Sequence, residues 1–435
     1  MPAPQLLLES ELPPQASSAS HARRLLRGAL DRASAPWPEE DVEAAQLAVS
    51  EVVTNALVHA GTPMTLRVQL AESGLRVEVG DGSPHTPVRR NYSSTSGTGR
   101  GLKMLDRAVD RWGSAPDGDG KVVWFEMRSA DPCSGIDDRS PGVRGAAAKD
   151  TVTVELLNVP LLMHSAWQEH ASAVLREYLL VRVEADDLAI FEAHAQASDA
   201  MNLLYEQVPA PDLGDDPEAL MAGALEPVVS RERLTLNVPR ASVESFDTLD
   251  DLLRQAVALG EARVLLVPPT QPEIRDMSSW LCRQVRDQHA AGAPPVPWSS
   301  LQSLTEPSPP ATPASPDAAE VAASPRALMA IDEASVVVAV SPSVVRFLGH
   351  PDAAALVGRR VLSIVPARYH QAHIAGTTLH MTNGRSVLLG RPVTVPVVRA
   401  DGTEAPVELR VDPQLLPDGR RMFVAEFGLP PNDAP

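Results

Sequence analysis

Three short stretches near the start of the chain combine residue types that suit a binding or catalytic site. In GTGRGLKML at 97–105, Gly97, Gly99 and Gly101 precede a predicted helix. Glycine allows another group to approach the backbone closely, and the free N–H groups at a helix start attract anions such as phosphate. The glycine spacing alone is not specific, because flexible loops carry the same pattern.

Two further stretches place polar side chains where a fold can use them. In LAVSEVVTNALVHA at 47–60, Glu51 and Asn55 are four residues apart, so a helix projects both from one side while apolar residues fill the other. Asp81 and Gly82 follow the alternating stretch GLRVEV, where the chain leaves a predicted strand. Taken singly, a polar surface stripe and a turn are the simpler interpretations of these two patterns.

The three stretches occur in the order and at the spacing of the N, G1 and G2 boxes of the GHKL ATPases, which residues 1–130 resemble. The segment VDRWGSAPDGDGKVVWFEM at 109–127 resembles the end of this domain in bacterial anti-sigma-factor serine kinases. The second box is a short Asp-Gly-Ser-Pro and the region before the glycine loop is brief, and both features are typical of that branch. The resemblance implies an α/β sandwich of the Bergerat type.

The resemblance implies a role for each matched residue. Asn55 would hold a Mg²⁺ ion that bridges the phosphates of ATP, a task that suits a neutral oxygen ligand. Glu51 would be the catalytic residue that orients or deprotonates the attacking hydroxyl group. Asp81 would accept a hydrogen bond from the adenine amino group. The remaining residues that would line the bound ATP are Gly82, Gly97, Gly99, Arg100, Gly101 and Leu102.

By the same resemblance, the chain is expected to use Mg-ATP to phosphorylate a serine or threonine of a regulatory partner. That partner would be an anti-anti-sigma (antagonist) protein, and partner switching would then free or capture a sigma factor. The alternative, from another functional class, is a non-catalytic sensor or scaffold in which ATP binding only sets the affinity for partners. A histidine kinase would need a dimerising helical hairpin with a phosphoacceptor histidine just before the ATPase domain. Only about 35 residues precede the helix that carries Glu51 and Asn55, and His21 is the sole histidine among them, so this class is disfavoured.

The C-terminal segment, residues 326–430, carries a second resemblance. ALMAIDEASVVVAV predicts a hairpin that is followed by a helix, and RPVTVPVVRADGTEAPVELRV predicts two strands joined at Ala-Asp-Gly-Thr. GRRMFVAEF adds a last strand. This order is similar to that of PAS sensor domains, which implies an α+β fold that senses a ligand, a redox state or dimerisation.

One helix of this segment raises the question of a cofactor. In PARYHQAHIAGTTLHM, His373 resembles by position the haem ligand of haem-binding PAS sensors, and an imidazole nitrogen is a suitable axial ligand for haem iron. The basic residue expected over the bound gas does not align, because Arg391 is displaced and Val393 stands nearer its place. Haem or another PAS ligand therefore ranks below a structural role for this histidine.

The middle segment, residues 149–291, shows no catalytic constellation. It predicts four amphipathic helices with short strands such as RLTLNVP and ARVLLVPP between them, which indicates a mostly helical regulatory domain. His164 and His170 lie on the first of these helices and are interpreted as ordinary packed or exposed residues. Composition predicts a polar linker at 131–148 and a disordered linker rich in Pro, Ala and Ser at 292–325.

Composition narrows the remaining function classes. A length of 435 residues favours two to four domains, and a net charge of −18 argues against a nucleic-acid-binding role. Cys133 and Cys282 form no paired motif, which argues against a zinc site or a disulfide framework. No long apolar stretch or signal-peptide pattern is found, so no membrane association is expected. The sequence thus predicts a cytoplasmic, multidomain α+β regulator, which we expect to form a homodimer.

Overall fold

A computed structural model gives the fold of the chain. It describes residues 5–15, 17–33, 37–71, 74–82, 105, 108–118, 120–127, 150–184, 190–211, 225–268, 271–299, 316–384, 389–416 and 420–428. At 58, 59, 71, 184, 316 and 317 only the backbone is described. The linker predicted at 131–148 and the start of the helix predicted from Arg100 lie outside the described residues, whereas Leu105 and Ala108 are helical. Gly97, Gly99, Arg100, Gly101 and Leu102 also lie outside the described residues.

The chain mixes helices with antiparallel sheets and divides into two compact units. The first unit consists of Met1–Thr153, Leu175–Gln207 and Asn237–Arg254. The second unit consists of Val154–Val174, Val208–Leu236 and Gln255–Pro435. Residues of the predicted middle segment therefore contribute to both units, and the three-domain division stays a prediction.

The first unit contains a five-stranded antiparallel sheet with the strand order β1-β2-β3-β5-β4. Its strands are β1 (Gln5–Leu12), β2 (Met64–Ala71), β3 (Gly74–Asp81), β4 (Arg111–Asp117) and β5 (Gly120–Met127). The helices α1 (Ser18–Leu30) and α2 (Glu39–Ala60) pack on one face of this sheet. The predicted strand at 5–12, both helices, the hairpin and the closing strand are all confirmed.

The middle of the chain adds helices and a small sheet. The strands β6 (Thr151–Pro160) and β7 (Ser230–Pro239) form a two-stranded sheet. The helices are α3 (Leu161–Glu184), α4 (Ile190–Gln207), α5 (Val243–Glu261) and α6 (Pro272–Ala291). The four predicted helices and the strand at RLTLNVP are confirmed.

The second predicted strand of this region, ARVLLVPP, is wrong over its described residues. Leu265 and Val267 are buried while Leu266 is exposed, so the alternation that suggested a strand exists. The backbone N–H groups of residues 262–264, however, donate to carbonyls at the end of α5. The segment therefore completes the helix terminus instead of pairing with a strand.

The second unit contains another five-stranded antiparallel sheet, with the order β10-β11-β12-β8-β9. Its elements are α7 (Pro316–Ala323), β8 (Leu328–Asp332), β9 (Val337–Val340), α8 (Pro342–Phe347), α9 (His370–Asn383), β10 (Val393–Val398), β11 (Glu404–Leu415) and β12 (Arg421–Gly428). A hairpin, a helical region, a second hairpin and a last strand follow one another as the sequence predicts.

Two parts of the segment 292–325 are ordered, which corrects the prediction of a disordered linker there. In residues 292–299, Trp298 donates its backbone N–H to Leu157 O at 2.9 Å, and Val296 O accepts the indole N–H of Trp280 at 2.9 Å. In residues 316–325, the helix α7 buries Ala318 and Val321 in a small apolar cluster with residues of the second five-stranded sheet. Composition failed here because small apolar residues still pack once a sheet is present.

The helix α2 has clear start and stop signals. Pro38 precedes a first turn that carries three acidic residues, which favours a helix start through its dipole. Gly61 ends the helix in the left-handed conformation, at φ 60°, and its N–H donates to Ala56 O. A Cβ on Gly61 would lie 2.8 Å from Phe191 O, because α4 packs against the end of α2.

The core of the first sheet follows the strand period of two. Buried side chains of α2, Val49, Val52 and Val53, belong to one apolar cluster with the inward residues of the sheet. Those sheet residues are Leu66, Val68, Leu75, Val77, Val79, Val123, Phe125 and Met127. The same alternation sets which face each remaining strand residue occupies.

Across the described residues, no helix combines the length and apolar character that a membrane crossing needs.

Candidate functional site

Glu51 and Asn55 lie on the side of α2 that the core leaves open. Both are partly exposed, while Val52, Val53 and Ala56 between and beside them are buried. Within the described residues, neither side chain takes part in a hydrogen bond or ion pair. Partial burial raises the pKa of the Glu51 carboxyl group, because burial disfavours its charged form.

Asp81 lies at the end of β3, on the face of the sheet that packs against the helices. It follows Leu75, Val77 and Val79 at the strand period, and its side chain is fully buried. The Lys121 ammonium group is 3.0 Å from Asp81 Oδ1, and the two residues are cross-strand partners of β3 and β5. The carboxylate that the sequence assigned to adenine is therefore held by a buried cation.

Two glycines shape the chain around this pair. The Gly82 N–H donates to Thr62 Oγ1 at 2.8 Å, and a Cβ at Gly82 would lie 3.1 Å from the same side chain. A Cβ at Gly120 would collide with the Asp81 carbonyl oxygen. Gly120 therefore requires glycine and Gly82 leaves little room for a side chain, and both lie at the strand ends that present Asp81 and Lys121.

Lys121 is a site residue that was not predicted, although the strand pattern contains a signal for it. GKVVWFEM alternates so that Lys121 falls on the same face as Val123 and Phe125, which is the buried face. A charged residue at a core position of a strand is rare unless it has a partner. The partner, Asp81, is 40 positions away in the chain, so only the register of β3 with β5 identifies it.

A cavity of about 170 Å³ lies at this end of the sheet. Thr65, Arg67 and Glu78 line it, and they alternate with core residues, so the cavity is on the outer face. Asp81 and Lys121 also line it. The cavity therefore reaches the buried pair from the side opposite α2, and its other walls are not the residues that the sequence assigned to ATP.

The structure places three of the predicted residues in one unit on facing elements. Glu51 and Asn55 are on α2, which packs on β3, and Asp81 ends β3 on the face that α2 covers. Gly82 follows Asp81 directly and is exposed. The glycine loop, Gly97–Leu102, lies outside the described residues, so its predicted role toward phosphates stays a prediction.

His373, the residue that the sequence compares with a haem ligand, lies on α9. Burial and the positive charge of Arg360 lower its pKa to about 4. Two residues before it, the Gln371 carboxamide oxygen accepts the backbone N–H of Leu162 at 2.9 Å and of Met163 at 3.3 Å. This part of α9 is thus held against the start of α3, and haem binding at His373 stays a prediction.

Comparison with known proteins supports the N-terminal assignment. Residues 12–127 match the histidine kinase-like ATPase domain family. An uncharacterized protein of Streptomyces coelicolor is 33% identical over 102 residues, which cover 22% of this chain and 97% of that protein. An uncharacterized protein of Azorhizobium caulinodans is 31% identical over 99 residues, which cover 23% of this chain and 13% of that protein.

Two solved structures are similar to parts of the chain at low overall superposition. One is the PAS domain of an HTR-like protein from Haloarcula marismortui, at 22% identity and a TM-score of 0.20, covering 25% of this chain and 84% of that one. The other is a domain of a sensory box sensor histidine kinase/response regulator from Geobacter sulfurreducens, at 20% identity and a TM-score of 0.19, covering 25% and 88%. Residues 12–127 of the chain are thus a histidine kinase-like ATPase domain.

Proposed function

We propose that this chain is an ATP-binding regulatory protein whose N-terminal domain is a serine/threonine kinase of the anti-sigma-factor type. One observation carries the proposal. In a histidine kinase-like ATPase domain, Glu51 and Asn55 share the open side of α2, and Asp81 lies on the sheet face that this helix covers. These are the three described positions at which the resemblance places metal binding, phosphate transfer and base recognition.

Asn55 fits the proposed role of a magnesium ligand. Its carboxamide oxygen is a neutral, hard donor, which suits Mg²⁺ when the remaining ligands come from phosphates and water. The side chain is partly exposed and is not engaged by a hydrogen bond within the described residues. Asp81 would accept the adenine amino hydrogen, and the loop Gly97–Leu102 with Gly82 would line the phosphates.

Glu51 fits the proposed role of the residue that acts on the attacking hydroxyl group. A carboxylate with a raised pKa is a stronger base, and burial raises the pKa of Glu51. One turn separates it from Asn55, so it would face the acceptor hydroxyl beside the metal-bound phosphates. Mg-ATP, when bound, would supply the phosphoryl group, and Glu51 would receive the proton of the serine or threonine.

Regulation is proposed to come from the C-terminal segment acting as a PAS sensor. Its five antiparallel strands, with a helical region between the second and third, follow the order that the PAS resemblance implies. Phosphorylation of an anti-anti-sigma protein would then switch its partner and free or capture a sigma factor. We place this activity in the cytoplasm and in a homodimer. A haem or another PAS ligand is not part of the proposal.

The kinase proposal is tested by separating ATP binding from phosphate transfer. Glu51→Gln is expected to bind Mg-ATP like the wild type and to lose phosphate transfer about 10²–10⁴-fold, the usual contribution of a general base. Asn55→Ala is expected to weaken ATP binding only when Mg²⁺ is present. Exposed neighbours on the same helix, Glu43→Gln and Thr54→Ala, serve as matched controls and should behave like the wild type.

The measurement is transfer of γ-labelled phosphate from ATP to proteins in an extract of the source cell. Acid-stable phosphoserine or phosphothreonine, absent with Glu51→Gln, supports the kinase. Acid-labile label would contradict the serine/threonine assignment. If ATP binds and changes partner capture but no protein is labelled, the non-catalytic sensor or scaffold is the correct function.

A further inference from the structure

The pair of Lys121 and Asp81 is an unusual feature of the first sheet. The Lys121 side chain is 5% exposed and the Asp81 side chain 0% exposed, and their charged atoms are 3.0 Å apart. Both charges have lost water, which is costly even when they attract each other. The next cross-strand pair on the same face, Val79 with Val123, is apolar and buried.

Stability alone does not explain the pair. Buried ion pairs are often replaced by apolar side chains of similar size without loss of stability, and Val79 with Val123 shows that this ladder accepts such a pair. The charges are kept at the strand end on the face that α2 covers, directly before Gly82, where the proposed site begins. A ligand that uses both groups accounts for this position.

The two groups together match one edge of adenine. A carboxylate accepts hydrogen bonds through about four lone-pair positions, whereas an ammonium group has three N–H donors. Among the described residues, the Lys121 ammonium group donates to Asp81 Oδ1, which uses one of its donors. Adenine presents an amino donor directly beside ring nitrogen acceptors, so a neighbouring acceptor and donor on the protein can bind it together.

We propose that Lys121 is a second base-reading residue, which donates a hydrogen bond to an adenine ring nitrogen while Asp81 accepts the neighbouring amino hydrogen. This inference rests on the proposed ATP-binding function and adds the specificity of the same site. Lys121 also positions Asp81, because its hydrogen bond fixes one carboxylate oxygen. The arrangement selects adenine by two adjacent contacts rather than by one.

The test compares ATP with analogues that lack single base atoms, by equilibrium titration of the full chain. The analogues are 1-deaza-ATP and 7-deaza-ATP, each of which lacks one ring nitrogen beside the amino group. Wild-type protein is expected to bind one of the two at least about tenfold more weakly than ATP, the cost of one hydrogen bond to a charged group. Equal affinity for ATP and both analogues would overturn the inference without any variant.

Lys121→Met then assigns the contact. Methionine keeps an unbranched apolar stem but has no N–H donor. The variant should bind ATP only as tightly as the wild type binds the weaker analogue. Its affinity for that analogue should equal that of the wild type. An equal loss for ATP and both analogues would show that Lys121 acts only on structure. If wild-type protein binds no adenine nucleotide, the proposed function itself is wrong. Glu126→Gln, on the outer face of the same strand, is the matched control.

Discussion

Among the described residues, two buried ion pairs differ in how many hydrogen bonds the cation donates. Arg360 donates two hydrogen bonds to Glu273, at 2.9 and 2.7 Å, and a third to Ala334 O. Lys121, in the other unit, donates to Asp81 over a single 3.0 Å contact. One guanidinium nitrogen, Nη2, reaches both Glu273 oxygens and Nη1 reaches the Ala334 carbonyl, whereas the ammonium group of Lys121 has one described acceptor.

We relate this difference to the roles of the two pairs. The Arg360 and Glu273 pair holds the fold together, and the Lys121 and Asp81 pair is the proposed contact with a ligand. Gln371 is another polar side chain of the second unit whose partners all belong to the protein. Its carboxamide accepts two N–H groups at the start of α3 and donates to Glu226 at 2.5 Å and to Ser230 at 3.0 Å. The Asp81 and Lys121 pair instead borders a cavity. Within the described residues, Lys121 donates to Asp81 alone, so its remaining N–H groups can serve a ligand.

The largest expected effect comes from breaking the Arg360 and Glu273 pair. Glu273→Ala leaves the Arg360 charge buried without its carboxylate, and we expect a loss of about 3–5 kcal/mol in the free energy of unfolding of the second unit. Urea denaturation followed by far-UV circular dichroism measures it. The double variant Glu273→Leu with Arg360→Met should recover most of the loss, because neither charge then remains.

An exposed pair in the same unit provides the control. Arg326 and Glu426 pair at the surface, with side chains 63% and 42% exposed, so Glu426→Ala should cost less than about 1 kcal/mol. If Glu273→Ala lowers the free energy of unfolding as little as Glu426→Ala does, the Arg360 and Glu273 pair does not contribute to stability in the way that its burial indicates.

A second prediction concerns His170, a buried histidine of the second unit. Burial lowers the pKa of His170 from 6.5 to about 4, and its Nδ1 is 2.9 Å from Thr382 Oγ1. The unfolded chain takes up this proton near pH 6.5 and the folded chain only near pH 4. Stability is therefore lost as pH falls through that window, by on the order of 3 kcal/mol for this residue.

His170→Asn should flatten this pH dependence. Thr382 donates its hydroxyl hydrogen to Thr378 O at 2.8 Å, so His170 Nδ1 is the donor, and an asparagine amide can replace it without titrating. Denaturation midpoints between pH 4 and 7 give the slope. His164, whose pKa burial lowers to about 3, leaves a residual slope in the variant. An unchanged slope contradicts the prediction, and exposed His21→Asn is the control.

The smallest effect is expected from Glu51, on the open side of the first unit. Burial raises its pKa, so the folded protein holds this proton more tightly than the unfolded chain, and stability is lost as pH rises from the unfolded value through the folded one. At pH 7, Glu51→Gln should therefore stabilise the protein slightly, within about 0.5 kcal/mol. The gain should vanish near pH 4. A destabilised variant would show that the carboxylate has a structural partner.

Periodicity predicted the regular elements well. The helix spacing of α2, with acids in its first turn and Gly61 at its end, gave its bounds closely, and alternation gave the hairpin of β2 and β3. Strand β4 was not predicted, because RWGSAPD lacks alternation and forms only against β5. There Gly113 lies under the Trp124 ring, and a Cβ would be 2.8 Å from it.

The candidate site was predicted only in part, because some of its contacts depend on segments that are distant in sequence. Glu51 and Asn55 are close in sequence, so helix geometry alone joins them. The contact of Asp81 with Lys121 depends on strand register across 40 positions, which no local pattern contains. The disorder predicted from Pro, Ala and Ser failed at α7 because a sheet distant in sequence supplies its partner residues.

The most direct test of the account is a titration of Mg-ATP into the wild-type chain and into Asp81→Asn. We expect one ATP to bind per wild-type chain and Asp81→Asn to bind ATP at least about tenfold more weakly, the value of a hydrogen bond to a charged group. Glu126→Gln, whose carboxylate pairs with Arg76 on the outer face, should match the wild type. No binding by wild-type protein, or equal binding by Asp81→Asn, would contradict the assignment of this site to ATP.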